Sequence, residues 1–221
     1  MLQKTRAIVL SSVKYGESGL VVQVFTENYG RQSFIIHGVR KKKSRFNYLL
    51  FEPLSLLNLD LYYKETRDLH TLKEAKQSAI PHHMPFDIKR SSIALFISEI
   101  LYRCLREVEP NKILFNYIFN AIQVLDIAEQ GVENFHLIFL IQFSKFLGIY
   151  PKNNTELYRY KTGKGIQLSD LLDLSLQDIG NLEIERTNRV ELLDRLIDYY
   201  RDHLEGLGEI KSLQVLHEVF Q

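Results

Sequence analysis

The sequence predicts an α+β protein in which a small β-barrel precedes a helical region. Up to about residue 80, apolar and β-branched residues recur in short segments separated by glycine turns, with no helical period among them. Beyond that point apolar residues recur every three to four positions, which is the spacing of amphipathic helices. The 45% hydrophobic and 25% charged composition is typical of a globular protein that buries a core.

Five strands are expected in the first 80 residues. Pro53 opens the fourth because proline can start a strand but not interrupt one, and Leu57, Leu59 and Leu61 then share one face. The other predicted strands are 5–13, 20–26, 32–37 and, as a weaker candidate, 69–75. A five-stranded barrel of this size indicates an OB-fold, whose open face and loops commonly hold oligonucleotides.

Pro81 and Pro85 mark a boundary, since neither can lie inside a helix or a central strand. We therefore predict an OB-fold domain at 1–80 and a helical, partner-binding domain at 81–221. Residues 152–186 are irregular, with a candidate hairpin at 157–160. Five helices are predicted, of which the last is a short one at 210–220. The other four carry these apolar stripes: Ile93, Ile97, Ile100 and Cys104; Leu114, Ile118, Ala121 and Leu125; Phe135, Phe139, Phe143 and Phe146; and Val190, Leu193, Ile197, Tyr200 and Leu204.

Several classes of protein are not expected from the composition. The apolar stretches are broken well short of a membrane span, and the N-terminus shows no secretory apolar region. The single cysteine, Cys104, can form neither an internal disulfide nor a thiolate zinc site. We expect a cytoplasmic protein that contacts no membrane.

Charge is distributed unevenly along the chain. Residues 1–80 carry 13 Lys+Arg and 7 Asp+Glu, a net charge of +6, whereas residues 81–221 carry a net charge of −5. Between Arg40 and Arg45, five of six positions are cationic. Taken alone, such a run is as typical of a solvated loop as of a polyanion-binding loop. The positive balance of its domain favours the second interpretation, because the potential that an anion meets is local.

Aromatic residues are interleaved with these cations. Cations pair with phosphates while any base can stack on a ring, so the combination is typical of single-strand binding. Phe34 is expected in the core, whereas Tyr29, Phe46 and Tyr48 lie in or near loops and are freer to stack. No base-reading pattern is present, so we expect binding that is salt-sensitive and independent of sequence. The predicted DNA-binding residues are Arg31, Arg40, Lys41, Lys42, Lys43, Arg45, Phe46 and Tyr48.

Signatures of catalysis and metal binding are missing from the sequence. Residues 161–165 resemble a phosphate-binding P-loop only faintly, because that motif needs Gly in place of Tyr158 and Ser or Thr in place of Gly165. His82 and His83 have no Cys, Asp or Glu at ligand spacing and are interpreted as a solvated linker. Cys104 falls on an apolar helix face and is expected to be an inert, buried thiol. We expect neither an enzyme nor a bound cofactor or metal.

Five short segments of the N-terminal half carry a family resemblance. They are Ala7-Ile8-Val9-Leu10, Tyr15-Gly16-Glu17-Ser18, Phe25-Thr26-Glu27, Gly30-Arg31-Gln32-Ser33 and Gly38-Val39-Arg40-Lys41. In order and spacing they resemble the N-terminus of the RecO family of bacterial recombination mediators. The resemblance implies an OB-fold that binds single- and double-stranded DNA and anneals complementary strands. It also implies a helical domain that works with RecR and recognises the C-terminal tail of single-stranded-DNA-binding protein, helping RecA to load.

One region departs from that family's pattern. Many family members carry a four-cysteine zinc module after the third helix of the C-terminal domain. Residues 152–187 of this chain contain no cysteine, so no metal is carried over, and the candidate hairpin at 157–160 is expected to take the structural place of the module.

Two other classes of function remain open at this point. The chain could be an adaptor whose helical half binds peptides and whose barrel is only a scaffold. It could also be an RNA-binding OB protein of translation. Titration of labelled single-stranded DNA and RNA at two salt concentrations discriminates among the three.

Overall fold

The computed structural model describes residues 2–41, 44–64, 69–106, 109–152 and 156–220. The chain divides into two compact units, of which the first comprises Met1–Pro81 and Ile97–Ile122 and the second His82–Phe96 and Gln123–Gln221. Helical residues 97–104 and 112–122 therefore belong to the same compact unit as the strands. The domain boundary between residues 80 and 81 stays a prediction.

Among the described residues of the first unit, six strands form one sheet. They are β1 (Leu2–Tyr15), β2 (Gly19–Thr26), β3 (Gly30–Ile36), β4 (Leu56–Tyr62), β5 (Leu69–His70) and β6 (Leu72–Gln77), in the order β5-β3-β2-β1-β4-β6. A single residue separates β5 from β6, yet β5 runs parallel to β3 and β6 antiparallel to β4. The sheet therefore curls until both of its edges meet one short segment, which is the closure of a small barrel.

The predicted barrel followed by helices is confirmed, although the strand count differs by one. The expected fifth strand divides at Thr71 because its two parts pair with different edges. The fourth strand begins at Leu56 rather than at Pro53. Leu54 has a φ of +60°, a left-handed conformation that extended backbone does not contain, and the amide of Ser55 donates to the carbonyl of Glu52.

The barrel core is built from alternate strand residues. Leu57, Leu59 and Leu61 are buried and Asn58 is exposed, as the period of two predicts. Phe34 is also fully buried, which confirms its expected core position. Burial of each such side chain contributes about 1.5–3 kcal/mol, so this alternation fixes the register of the strands.

In the described part of the chain five α-helices follow, as predicted: α1 (Ile88–Cys104), α2 (Lys112–Ile127), α3 (Phe135–Phe146), α4 (Arg186–His203) and α5 (Ser212–Val219). In α3 the first three members of the phenylalanine stripe are fully buried, and Phe146 is partly buried at the end of the helix. The chain leaves α3 through Gly148, whose φ of +71° suits glycine. Among the described residues, no helix is both long enough and apolar enough to cross a membrane.

The hairpin predicted at 157–160 is wrong, because Glu156–Tyr160 forms a 3₁₀ helix. Leu157 and Tyr160 are both buried, and residues three apart share a face in a 3₁₀ helix but take opposite faces of a strand. The hydroxyl of Tyr160 donates to Asp202 on α4 at 2.7 Å, which fastens this segment to the second unit.

Candidate nucleic-acid interface

The basic loop, residues 38–48, leaves β3 through a tight turn. Gly38 has a φ of +68°, which glycine adopts without strain. The amide of Lys41 donates to the carbonyl of Gly38 at 3.0 Å, and the amide of Ser44 donates to that of Lys41 at 3.0 Å. The amide of Arg40 donates to the carbonyl of Ser18 in the β1–β2 turn at 3.1 Å. The described part of the loop is therefore held to the barrel by its backbone.

The far end of the basic loop is fixed by a helix cap. The side chain of Asn47 accepts a hydrogen bond from the amide of Leu49 at 3.1 Å and begins the 3₁₀ helix Tyr48–Phe51. Phe51 is buried in the barrel core, so this helix anchors the loop while Tyr48 stays 41% exposed.

An open cleft of about 730 Å³, called here the loop cleft, runs along this loop. Lys14 reaches it from the end of β1. In the sheet register Lys14 pairs with Leu20, and Leu20 pairs with Ile36 at the end of β3. Lys14 could not be predicted from the sequence, because only strand pairing brings it to the loop. The lining residues are Lys14, Val39, Arg40, Lys41, Ser44, Phe46, Asn47 and Tyr48.

Within the described residues, the cations of the loop cleft have no acidic partners. Lys14, Arg40 and Lys41 are exposed, and none of them forms a salt bridge with another described residue. Arg40 donates from Nη2 to the carbonyl of Gly16 at 2.8 Å, which orients its guanidinium without neutralising its charge. Such cations can bind a phosphate without first breaking an ion pair.

Arg45 and Phe46 lie at the edge of this arrangement. Arg45 donates to the carbonyl of Lys73 and does not line the cleft, and its guanidinium carbon is 5.6 Å from the centroid of the Phe46 ring. Phe46 is partly buried against the barrel core, edge-on to Phe51 at 6.0 Å. Of the two predicted stacking rings, Phe46 and Tyr48, the ring of Tyr48 is therefore the more accessible to a base.

One ring expected to be free is partly covered, and two expected DNA-binding lysines lie outside the described residues. Tyr29 stacks on Tyr63 with ring centroids 4.2 Å apart, so one face of the ring that we expected to be free is covered. Lys42 and Lys43 lie outside the described residues, and their DNA-binding role stays a prediction.

Arg31 is not brought to the loop cleft. On β3, its Nη1 donates to the carbonyls of Tyr102 and Leu105 at 2.8 and 3.0 Å, and its Nε donates to Gln23 at 2.9 Å. The guanidinium carbon is also 4.4 Å from the centroid of the Tyr102 ring. A cation at the C-terminal carbonyls of α1 stabilises the helix end. DNA binding by Arg31 remains an untested prediction.

A second open cleft of the first unit carries both signs of charge. Arg6 pairs with Glu27 at 2.9 Å and Lys76 with Glu74 at 2.9 Å. The bond to Arg6 lowers the pKa of Glu27, and the bond to Glu74 raises the pKa of Lys76. This mixed cleft is lined by Lys4, Thr5, Arg6, Glu27, Asn28, Asn58, Leu59, Asp60, Glu74 and Lys76.

The other candidates for chemistry are structural. The backbone amides of His82, His83 and Met84 donate to the carboxylate of Asp126, which fixes the linker. Burial of Asp126 acts to raise its pKa, but these hydrogen bonds outweigh burial and the pKa is lowered. Burial raises the pKa of Cys104 to about 12, so the residue stays an unreactive thiol at neutral pH. The described residues contain no group of three His, Cys, Asp or Glu side chains able to hold a metal.

Known protein families match both the strand-rich N-terminal part of the chain and part of the helical region that follows. The family model "Recombination protein O N terminal" matches residues 1–80, and "Recombination protein O C terminal" matches residues 85–159. The DNA repair proteins RecO of Phocaeicola vulgatus and Azobacteroides pseudotrichonymphae are 36% and 33% identical, with 100% of each chain covered. That of Flavobacterium psychrophilum is 35% identical over 98% of each chain. The chain belongs to the RecO family of DNA repair and recombination proteins.

Proposed function

We propose that this chain is a non-enzymatic mediator that binds single- and double-stranded DNA through the basic loop and anneals complementary strands. The observation that carries the proposal is the loop cleft, where Lys14, Arg40 and Lys41 are exposed without carboxylate partners among the described residues. Family membership supports DNA as the polyanion.

Annealing needs no covalent chemistry in this scheme. Two strands repel each other through their phosphates, and cations held between or beside them lower that repulsion and release counterions. The exposed ring of Tyr48 can stack on a base of any identity. The cleft therefore serves strands of any sequence, and base pairing between the strands supplies the specificity.

The partners proposed for the helical half are proteins. We infer that it works with RecR and binds the C-terminal tail of single-stranded-DNA-binding protein, so that RecA loads onto coated single strands in the bacterial cytoplasm. Membership of the RecO family supports this inference.

The test is the full-length variant Arg40→Glu/Lys41→Glu/Lys42→Glu/Lys43→Glu. We expect it to lose binding to labelled single- and double-stranded DNA, and to lose strand annealing, because four phosphate-binding charges become repulsive. Far-UV circular dichroism should match the wild type, since the described members of the set are exposed. A folded variant that retains the wild-type affinity and salt dependence contradicts the assignment.

A second titration separates the classes of ligand. Wild-type protein is titrated with single-stranded DNA and with structured RNA at two salt concentrations, and we expect DNA binding that weakens with salt. A clear preference for structured RNA indicates an RNA-binding protein. Absence of nucleic-acid binding together with tight binding of an acidic peptide indicates an adaptor.

A further inference from the structure

A second basic loop, residues 158–165, lies in the second unit. Tyr158, Arg159, Lys161 and Lys164 are exposed, whereas Tyr160 and Thr162 are buried. The loop contains no acidic residue, although residues 81–221 as a whole carry a net charge of −5. Its outward side chains are thus cationic or aromatic in an otherwise acidic part of the chain.

Buried polar contacts hold this loop in one conformation. The amide of Thr162 donates to Gln167 Oε1 at 3.0 Å, and the Thr162 hydroxyl donates to the carbonyl of Ile166 at 3.2 Å. Asn188 on α4 accepts from the amide of Ile166 at 2.9 Å. Gly165 has a φ of +82°, and a Cβ there would lie 2.6 Å from Asn188 Oδ1. A loop fixed in advance loses little entropy when a ligand binds.

The exposed surface of the second basic loop combines charge with a ring. Tyr158 is 66% exposed, and Lys161 Nζ lies 3.9 Å from the centroid of its ring. Neither Lys161 nor Lys164 forms a salt bridge with another described residue, while Arg159 reaches Asp202 only at 4.0 Å. These cations are therefore available to an anion.

The neighbouring cleft, of about 410 Å³, points to a nucleotide rather than a peptide. Its two leucines, Leu157 and Leu168, are buried, so the cleft offers the exposed ring of Tyr158 and one cation, Lys161, but no exposed aliphatic anchor. Peptide sites depend on such apolar anchors. Single-strand sites combine cations for the phosphates with rings for the bases.

We propose that the second basic loop is an additional contact site for single-stranded DNA, in which Lys161 and Lys164 bind phosphates and Tyr158 stacks on a base. The proposal rests on the proposed function, because it takes its ligand from there. It adds a site that the basic loop of the first unit does not include.

The chain contains no tryptophan, so Tyr158→Trp creates a single fluorescent reporter at the exposed position. Stacking of a base on the indole should quench its fluorescence as a single-stranded oligonucleotide saturates the full-length protein. Tyr48→Trp is the parallel reporter in the basic loop. Quenching in Tyr48→Trp alone overturns the additional site and leaves the proposed function standing, whereas binding that quenches neither overturns both stacking assignments. Quenching of Tyr158→Trp by an acidic peptide and not by DNA overturns the additional site.

Charge reversal gives an independent measurement. We expect Lys161→Glu/Lys164→Glu to lower affinity for a single-stranded oligonucleotide at least about 5-fold and to lower the salt slope by about 1.4. The matched control, Lys145→Glu/Arg186→Glu, reverses two exposed charges outside the loop and should bind like the wild type. Both variants are checked for folding by circular dichroism. Equal binding by a folded loop variant and its control overturns the proposal.

Discussion

Two open clefts of the first unit contain cations, and they differ in how many of those cations are paired with carboxylates. In the mixed cleft Arg6 and Lys76 are bound to carboxylates at 2.9 Å. In the loop cleft Arg40 is oriented by a backbone carbonyl, which leaves its charge uncompensated, and Lys41 has no ion-pair partner among the described residues. A phosphate competes with a carboxylate for Arg6 and Lys76, but for Arg40 it competes only with water and an uncharged backbone carbonyl. The number of cations in a surface therefore predicts DNA binding less well than their partners do.

The largest expected effect contrasts the two clefts directly. Arg40→Glu/Lys41→Glu should weaken binding of single-stranded DNA by about 100-fold or more, because two phosphate contacts become repulsive. Arg6→Glu/Lys76→Glu makes the same change of charge at the two carboxylate-paired cations of the mixed cleft and should weaken binding far less in a variant whose circular dichroism matches the wild type. Fluorescence anisotropy with a labelled oligonucleotide measures both. Equal losses would show that net charge, and not the loop cleft, governs binding.

Arg31 and Arg40 are both arginines of the first unit, but the guanidinium of Arg31 donates to carbonyls at the end of α1. We therefore expect Arg31 to contribute to stability and Arg40 to contribute to DNA binding. Arg31→Ala should lower the free energy of unfolding by about 1.5–3 kcal/mol, the value of hydrogen bonds to a charged group. Arg40→Ala, at an exposed site, should change it by about 0.5 kcal/mol or less. Urea denaturation gives both values. An Arg31→Ala variant of unchanged stability but strongly weakened DNA binding would place Arg31 in the interface instead.

In contrast to the exposed cations of the loop cleft, one histidine of the second unit is fully buried. His136 on α3 packs between Phe96 and Phe220, and burial, with Arg189 and His217 nearby, lowers its pKa to about 3. The unfolded chain takes up this proton near pH 6.5, but the folded protein does not. The stability contributed by neutral His136 is therefore present at pH 7 and lost as the pH falls below about 6.5.

Between pH 7 and pH 5, this linkage should cost about 2 kcal/mol of unfolding free energy. His136→Leu removes the titrating group, so its stability should fall by that much less over the same interval in urea denaturation. Parallel pH profiles for the wild type and the variant would mean that His136 is protonated equally in both states.

The smallest expected effect concerns the ring of the loop cleft. Tyr48→Ala should weaken binding of single-stranded DNA about 5-fold, the lower end of the range for base stacking, because the ring is only 41% exposed. Tyr48→Phe keeps the stacking surface and should bind like the wild type. If both variants lose the same affinity, the hydroxyl rather than the ring makes the contact.

Much of the architecture could be predicted from local pattern. The alternation of Leu57, Leu59 and Leu61 and the phenylalanine stripe of α3 are each contained within one element, and burial follows from their period. The division of the last strand could not be predicted in this way, because it depends on which distant edges the segment meets. The 3₁₀ helix at Glu156–Tyr160 was foreseeable from two apolar residues three apart.

The candidate site was only partly visible in the sequence for the same reason. Arg40, Lys41 and Tyr48 are close along the chain and also in space. Lys14 joins them through strand register, Arg31 is diverted to the end of α1, and Tyr29 is covered by Tyr63. Each of these outcomes depends on long-range contacts, which a charge run or an aromatic count does not contain.

The most direct test of the unpaired-cation account is the salt dependence of single-strand binding. Affinities of the wild type, of Arg40→Ala/Lys41→Ala and of the paired-cation variant of the mixed cleft, Arg6→Ala/Lys76→Ala, are measured over a range of salt concentrations. Each phosphate contact contributes about 0.7 to the logarithmic slope, so the loop variant should show a slope lower by about 1.4 while the mixed-cleft variant keeps the wild-type slope. Three identical slopes, or a reduced slope only in the mixed-cleft variant, would contradict the account.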